Sequence, residues 1–170
     1  STLADLFAPA TKLERADSVF WGVNTLTSEY LPDAIFENNK SLIAIVGLFN
    51  GCLGLTSLPD YLCSKTPNNN PKLLYASGIF ANCENITSII KNTLFTGMEK
   101  VQHLGFYRTT TNYSDSGRRR WVLGAFANTK ISGFATDFLS SLTELTNISC
   151  LFAKGTISSV NLQSTNPPTF

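Results

Sequence analysis

Charge is scarce in this chain, and so are histidine and methionine. Only 15% of the 170 residues are charged while 43% are hydrophobic, with one histidine and one methionine. A low charged fraction beside an ordinary hydrophobic fraction argues against a disordered chain and against a coiled coil. The net charge of +1 gives no general attraction to nucleic acid or to an anionic membrane. We therefore expect one domain over residues 1–170 with a sizeable core.

Long apolar runs and metal-binding spacings are missing as well. The longest nearly continuous apolar run, residues 42–49, is too short to span a bilayer. No basic and apolar leader opens the chain, so we expect a fragment or a processed form. The cysteines show no Cys-x-x-Cys pair and no interleaved histidines, so we expect no metal and no other cofactor. Buried core thiols are expected, with two disulfides as the alternative, at Cys52, Cys63, Cys83 and Cys150.

A repeated pattern is what the sequence does contain. Apolar anchors recur in one order, at intervals of 29, 31, 46 and 26 residues, around Phe20, Phe49, Phe80, Phe126 and Phe152. Only the two central copies combine a glycine before the phenylalanine with a cysteine after it. A unit of about 26 to 29 residues cannot bury its own apolar face, so neighbouring units must stack and share a core. We expect an α/β repeat solenoid of about five units, with a parallel strand face and short helical turns behind it.

The two central units resemble a known family. Residues 48–59 read Leu-Phe-Asn-Gly-Cys-Leu-Gly-Leu-Thr-Ser-Leu-Pro, and residues 79–88 read Ile-Phe-Ala-Asn-Cys-Glu-Asn-Ile-Thr-Ser. Both are similar to the tandem leucine-rich repeats of the BspA-like bacterial cell-surface proteins, over roughly residues 3–160. The resemblance implies a right-handed leucine-rich-repeat superhelix, a cell-surface or secreted location, and adhesion to a host or bacterial protein or glycan.

Two insertions interrupt the pattern, and the larger one is chemically distinct. The smaller, residues 64–71, favours a surface loop because two prolines bracket three asparagines. The larger, residues 105–125, predicts an inserted β-hairpin and holds four of the five arginines, three of them consecutive. Clustered arginines beside aromatic rings suit carboxylates, phosphates, sulfated glycans or a protein surface; the alternative is a solvated tip that protects an edge. The candidate binding residues are Tyr107, Arg108, Tyr113, Arg118, Arg119, Arg120 and Trp121.

A catalytic group is hard to find. The only histidine, His103, lies in a predicted strand without a positioned nucleophile, although catalytic partners can converge from distant parts of a chain. We therefore expect no enzyme but a binding module for a protein or glycan, without nucleic acid and without membrane insertion. The alternative is a structural spacer that carries a neighbouring functional domain. The outermost units would expose apolar edges, which favours dimerisation or fraying, and residues 161–170 break the pattern as a C-terminal cap or tail.

Overall fold

Regular secondary structure is sparse in this protein. The computed structural model describes residues 2–105, 107–108, 121–122 and 124–157; the predicted cap or tail, residues 161–170, lies outside them. Within these ranges no helix is long and apolar enough to cross a membrane. The elements in chain order are α1 (Leu3–Phe7), a 3₁₀ helix (Ser28–Tyr30), β1 (Ile89–Ile90), β2 (Tyr107–Arg108), β3 (Trp121–Val122) and β4 (Gly133–Phe134).

In the described residues, most parallel β-pairing consists of isolated single-residue bridges. Strands β1 and β4 form a parallel pair with Ile89 opposite Gly133. Isolated parallel bridges join one further set in chain order: Arg15, Ala44, Tyr75, His103 and Asn147. We call the stretches around these five residues the bridge segments: residues 13–23, 42–52, 73–83, 101–105 with 124–129, and 145–155. Neighbouring bridge segments therefore lie side by side in the order of the chain.

Backbone hydrogen bonds between bridge segments keep one direction beyond each bridge residue. In the second segment, the amides of Gly47, Phe49 and Gly51 donate to carbonyls of the third segment at 2.8, 2.9 and 2.7 Å. In the first segment, the amides of Ser18 and Phe20 donate to the second segment in the same way, both at 2.9 Å. Beyond its bridge residue, each of the first four segments therefore donates to the segment that follows it.

Stacked phenyl rings form the centre of the core. Their centroids are 5.5, 5.5, 6.0 and 5.8 Å apart, and their planes are inclined by 8–19°, in the order Phe20, Phe49, Phe80, Phe126 and Phe152. The three inner rings are fully buried. Helix α1 closes the first end of this phenyl stack, because Phe7 meets Phe20 edge-on at 6.1 Å. Stacked and edge-on rings are both favourable aromatic geometries.

Left-handed residues bend the chain on both sides of the stacked rings. Two positions before the ring, φ is positive at Ser18, Gly47, Gly78 and Cys150. Two positions after the ring, φ is positive at Gly22, Gly51, Asn82, Asn128 and Lys154. Glycine and asparagine adopt this conformation most readily, which explains their recurrence in the sequence.

These bends explain why the predicted fold is wrong. An α/β solenoid, or a right-handed leucine-rich-repeat superhelix, needs a strand face and helical turns that the described chain does not form. A strand through Ala44 cannot continue through Gly47, because the backbone at Gly47 is left-handed. The spacing of Phe49, Cys52 and Leu55 gives separate turns, closed by Cys52 N–H to Phe49 O at 3.1 Å and Leu55 N–H to Cys52 O at 3.2 Å. The structure is thus a fold of low secondary-structure content.

Buried asparagine side chains anchor two loops to the core. The Asn39 amide donates to Phe7 O at 3.0 Å and to Ala10 O at 2.8 Å. The Asn70 amide donates to Phe36 O at 3.1 Å, and both asparagines are fully buried. The segment 64–71, expected at the surface, is therefore anchored in the core at its Asn70 end, while residues 65–68 are exposed.

Candidate binding surface

The bridge residues form a column along one side of the molecule. In a parallel pair, residues in register direct their side chains to the same side of the backbone. Arg15 and Tyr75 are exposed, His103 and Asn147 are partly exposed, and Ala44 is buried between them. We call these five residues the bridge column. It presents polar and aromatic groups from four different bridge segments at one surface.

An aromatic pair occupies the middle of the bridge column. The Tyr75 and His103 rings stack with centroids 5.3 Å apart and planes inclined by 24°. Tyr75 is 39% exposed. The backbone holds the pair in place, since His103 N–H donates to Leu74 O at 3.2 Å and His103 O accepts from Ala76 N–H at 2.9 Å. Two positioned rings with polar atoms at their edges provide a flat contact surface of the kind enriched at interfaces.

The two ends of the bridge column are polar. Arg15 Nε donates to Asp17 Oδ2 at 2.7 Å, and Asp17 Oδ1 accepts from Val46 N–H at 2.8 Å. The Arg15 side chain is 60% exposed, so this ion pair is open to solvent and adds little stability. At the other end, Asn147 Oδ1 accepts from Ser149 N–H at 2.8 Å. A guanidinium and an amide therefore flank the aromatic pair.

The larger insertion begins two residues after His103, and a closely packed glycine lies at each of its ends. Gly105 follows His103 by two residues, and Gly124 begins the return to the fourth bridge segment; both are buried. A Cβ on Gly105 would lie 1.9 Å from Ser149 O, and one on Gly124 would lie 1.8 Å from Cys150 O. Only glycine permits this approach to the fifth bridge segment. The insertion is therefore attached beside the aromatic pair.

Three of the candidate residues from the sequence lie in strands within this insertion. Strand β2 contains Tyr107 and Arg108, strand β3 contains Trp121, and the two pair antiparallel with Arg108 opposite Trp121. Their register brings two of the candidates to opposite positions of one ladder. The remaining candidates lie outside the described residues: Tyr113, Arg118, Arg119 and Arg120.

The cysteines are placed for packing. All four are free, and three are buried, the exception being Cys150. Cys83 Sγ donates to Phe49 O at 3.0 Å, and Cys52 Sγ donates to Phe20 O at 2.9 Å. Burial raises the pKa of Cys83 to about 12, so its thiol stays neutral and is a poor nucleophile. In the described part of the chain, no three His, Cys, Asp or Glu residues are grouped to hold a metal ion.

Sequence reasoning missed the aromatic pair. The available signal was positional: Tyr75 lies two residues after Leu73, and His103 lies two residues after Val101, at equivalent places in the repeat. No protein-family model, curated protein or solved structure matches the chain. The candidate surface therefore rests on its own geometry.

Proposed function

We propose that this chain is a non-catalytic binding module that contacts a protein or glycan partner through the bridge column and the insertion at residues 105–125. The observation that carries the proposal is the stacked Tyr75–His103 pair at the base of that insertion. A location at the bacterial surface, or secretion, rests on the resemblance of residues 48–59 and 79–88 to the BspA-like proteins.

The chemistry of the two regions is complementary. A partly exposed tyrosine ring supported by a second ring offers an apolar face for a sugar ring or an apolar side chain. The insertion carries three consecutive arginines followed by Trp121. Arginine binds carboxylate and sulfate groups through paired N–H donors. A partner with both apolar faces and negative groups, such as an acidic glycan or an acidic protein surface, fits this combination.

A binding screen with matched variants tests the proposal. Wild type is applied to a glycan array and to a panel of extracellular-matrix proteins. The column variant replaces Tyr75 and His103 with alanine, and the insertion variant replaces residues 118–121 with serine. The control is Tyr30→Ala, because Tyr30 is 53% exposed but lies in the 3₁₀ helix, outside the bridge column.

Loss of binding in the column variant, with binding kept by Tyr30→Ala, is the expected result. Loss in the insertion variant alone would confine the site to the insertion and contradict the role of the bridge column. Binding kept by both variants would place the site elsewhere. Absence of binding by wild type would favour the structural spacer.

A further inference from the structure

The first bridge segment exposes apolar side chains at positions that are buried in the inner segments. Val19 is 48% exposed, whereas the equivalent residues in the next three segments are 0% exposed: Leu48, Ile79 and Ala125. Val23 is 37% exposed, and its equivalents Cys52 and Cys83 are 0% exposed. These side chains are uncovered because no segment lies on the outer side of the first one within the described chain.

The fifth bridge segment shows the same effect at the other end. Ile148 is 42% exposed. Its equivalents in the other four segments are 0% or 1% exposed: Ala16, Ile45, Ala76 and Leu104. Among the described residues, both ends of the row of segments therefore expose positions that are buried in the inner segments.

The two ends also differ in their backbone hydrogen-bonding groups. Inner carbonyls such as Val46 O and Leu48 O accept amides of the preceding segment, at 2.9 Å each. Their equivalents at the first end, Asp17 O and Val19 O, accept no backbone hydrogen bond within the described residues. We call the edge that carries these two carbonyls the acceptor edge.

At the far end the unpaired groups are donors. The inner amides of Gly47, Phe49 and Gly51 all donate to the following segment. Their equivalents in the last segment find no acceptor in the described part of the chain: Cys150, Phe152 and Lys154. We call the edge formed by residues 148–154 the donor edge. An open edge with unpaired backbone groups is a template for pairing with another chain.

We infer that this protein associates head to tail, with the acceptor edge of one copy docked on the donor edge of a second copy. The partner is a second copy because each edge lacks what the other supplies, in hydrogen-bond direction and in apolar positions. A two-fold arrangement would instead oppose acceptors to acceptors, or donors to donors. Head-to-tail contacts leave one edge of each kind free, so they continue into rings or open chains.

The proposed contact between two copies involves only the acceptor edge and the donor edge. Phe7 already covers Phe20 edge-on at 6.1 Å, so a docked copy extends the backbone pairing without extending the phenyl stack. We therefore expect a weak association with a dissociation constant between about 1 μM and about 1 mM, as for other small contacts.

Complementary edge variants test this association. Val19→Asp blocks the acceptor edge, and Ile148→Asp blocks the donor edge, at side chains that are already half exposed. The control is Ile89→Asp, since Ile89 is 58% exposed and pairs with Gly133 in strand β4, not with either edge. Sedimentation velocity over a range of concentrations reports mass, and circular dichroism confirms folding. Lysine at Val19 and Ile148 repeats the test if an aspartate variant unfolds.

Wild type and Ile89→Asp should associate as concentration rises, and each edge variant alone should remain monomeric. An equimolar mixture of V19D and I148D should form dimers and nothing larger, because only one pair of intact edges remains. A wild type that stays monomeric to about 1 mM would overturn the proposal. So would a mixture that stays monomeric, or an I148D variant that still associates by itself.

Discussion

Replacing Phe80 with leucine should destabilise the protein by more than the change in side-chain volume explains. Phe80 is fully buried and stacks on Phe49 at 5.5 Å and on Phe126 at 6.0 Å. Leucine keeps a large apolar side chain in the core but removes both ring contacts. The excess loss of stability therefore reports the phenyl stack.

The magnitude follows from the two contacts. A core exchange between apolar residues of similar volume costs about 1 kcal/mol. Each stacked ring pair contributes about 0.5–1.5 kcal/mol beyond its buried area. Loss of both pairs should therefore bring the decrease in the free energy of unfolding for Phe80→Leu to about 2–4 kcal/mol.

Double-mutant cycles separate stacking from volume. Phe49→Leu and Phe80→Leu remove two rings in contact, so their coupling energy should be about 0.5–1.5 kcal/mol. Phe20→Leu and Phe80→Leu remove rings separated by Phe49, so their effects should add within about 0.5 kcal/mol. Urea unfolding at neutral pH measures all five variants. Equal coupling in the two cycles would refute the stack as a source of stability.

Three further predictions concern thiols, glycines and buried amides. Burial raises the pKa of Cys83 from an ordinary 9.0 to about 12. The buried thiol therefore contributes its full stabilisation below about pH 9 and loses it as the pH rises towards 12, because the thiol ionises first in the unfolded chain. Cys83→Ala should flatten the fall in stability between about pH 8 and about pH 10, measured by urea unfolding, and an unchanged slope would contradict this assignment. Gly124→Ala should lower stability by about 1–3 kcal/mol because its Cβ would lie 1.8 Å from a backbone carbonyl; an unchanged melting temperature would show that the close approach is absent. Asn39→Ala should cost about 1–3 kcal/mol because it removes two side-chain hydrogen bonds of about 0.5–1.5 kcal/mol each. The exposed neighbour Asn38→Ala should cost less than about 0.5 kcal/mol in the same urea assay, and equal effects would argue against the buried hydrogen bonds.

The sequence pattern identified which residues occupy equivalent positions in successive repeats, but it did not predict their backbone conformation. The five recurring phenylalanines stack in chain order, because the spacing of apolar residues determines which side chains share a core. The predicted strand face and helical turns were wrong because the spacing of apolar residues does not report backbone dihedral angles. Left-handed residues such as Gly47 and Asn82 interrupt extended and helical backbone alike, and only the glycines and asparagines hinted at them.

The candidate surface was predictable only in part. The arginines and aromatic residues at 105–125 stood out by composition, whereas the Tyr75–His103 pair depends on a register across residues 28 positions apart. Comparing equivalent positions of two units would have found it. The sequence did not predict that Gly105 and Gly124 pack closely against the fifth segment. A glycine in a sequence does not reveal which backbone it approaches.

Native-state hydrogen exchange in dilute solution tests the directional pairing of the bridge segments most directly. Gly47, Phe49 and Gly51 have amides bonded to the next segment, and the equivalent amides of residues 150, 152 and 154 have no acceptor in the described chain. The account predicts strong protection for the first set, approaching the global stability, and rapid exchange for the second. Equal protection of the two sets would contradict it.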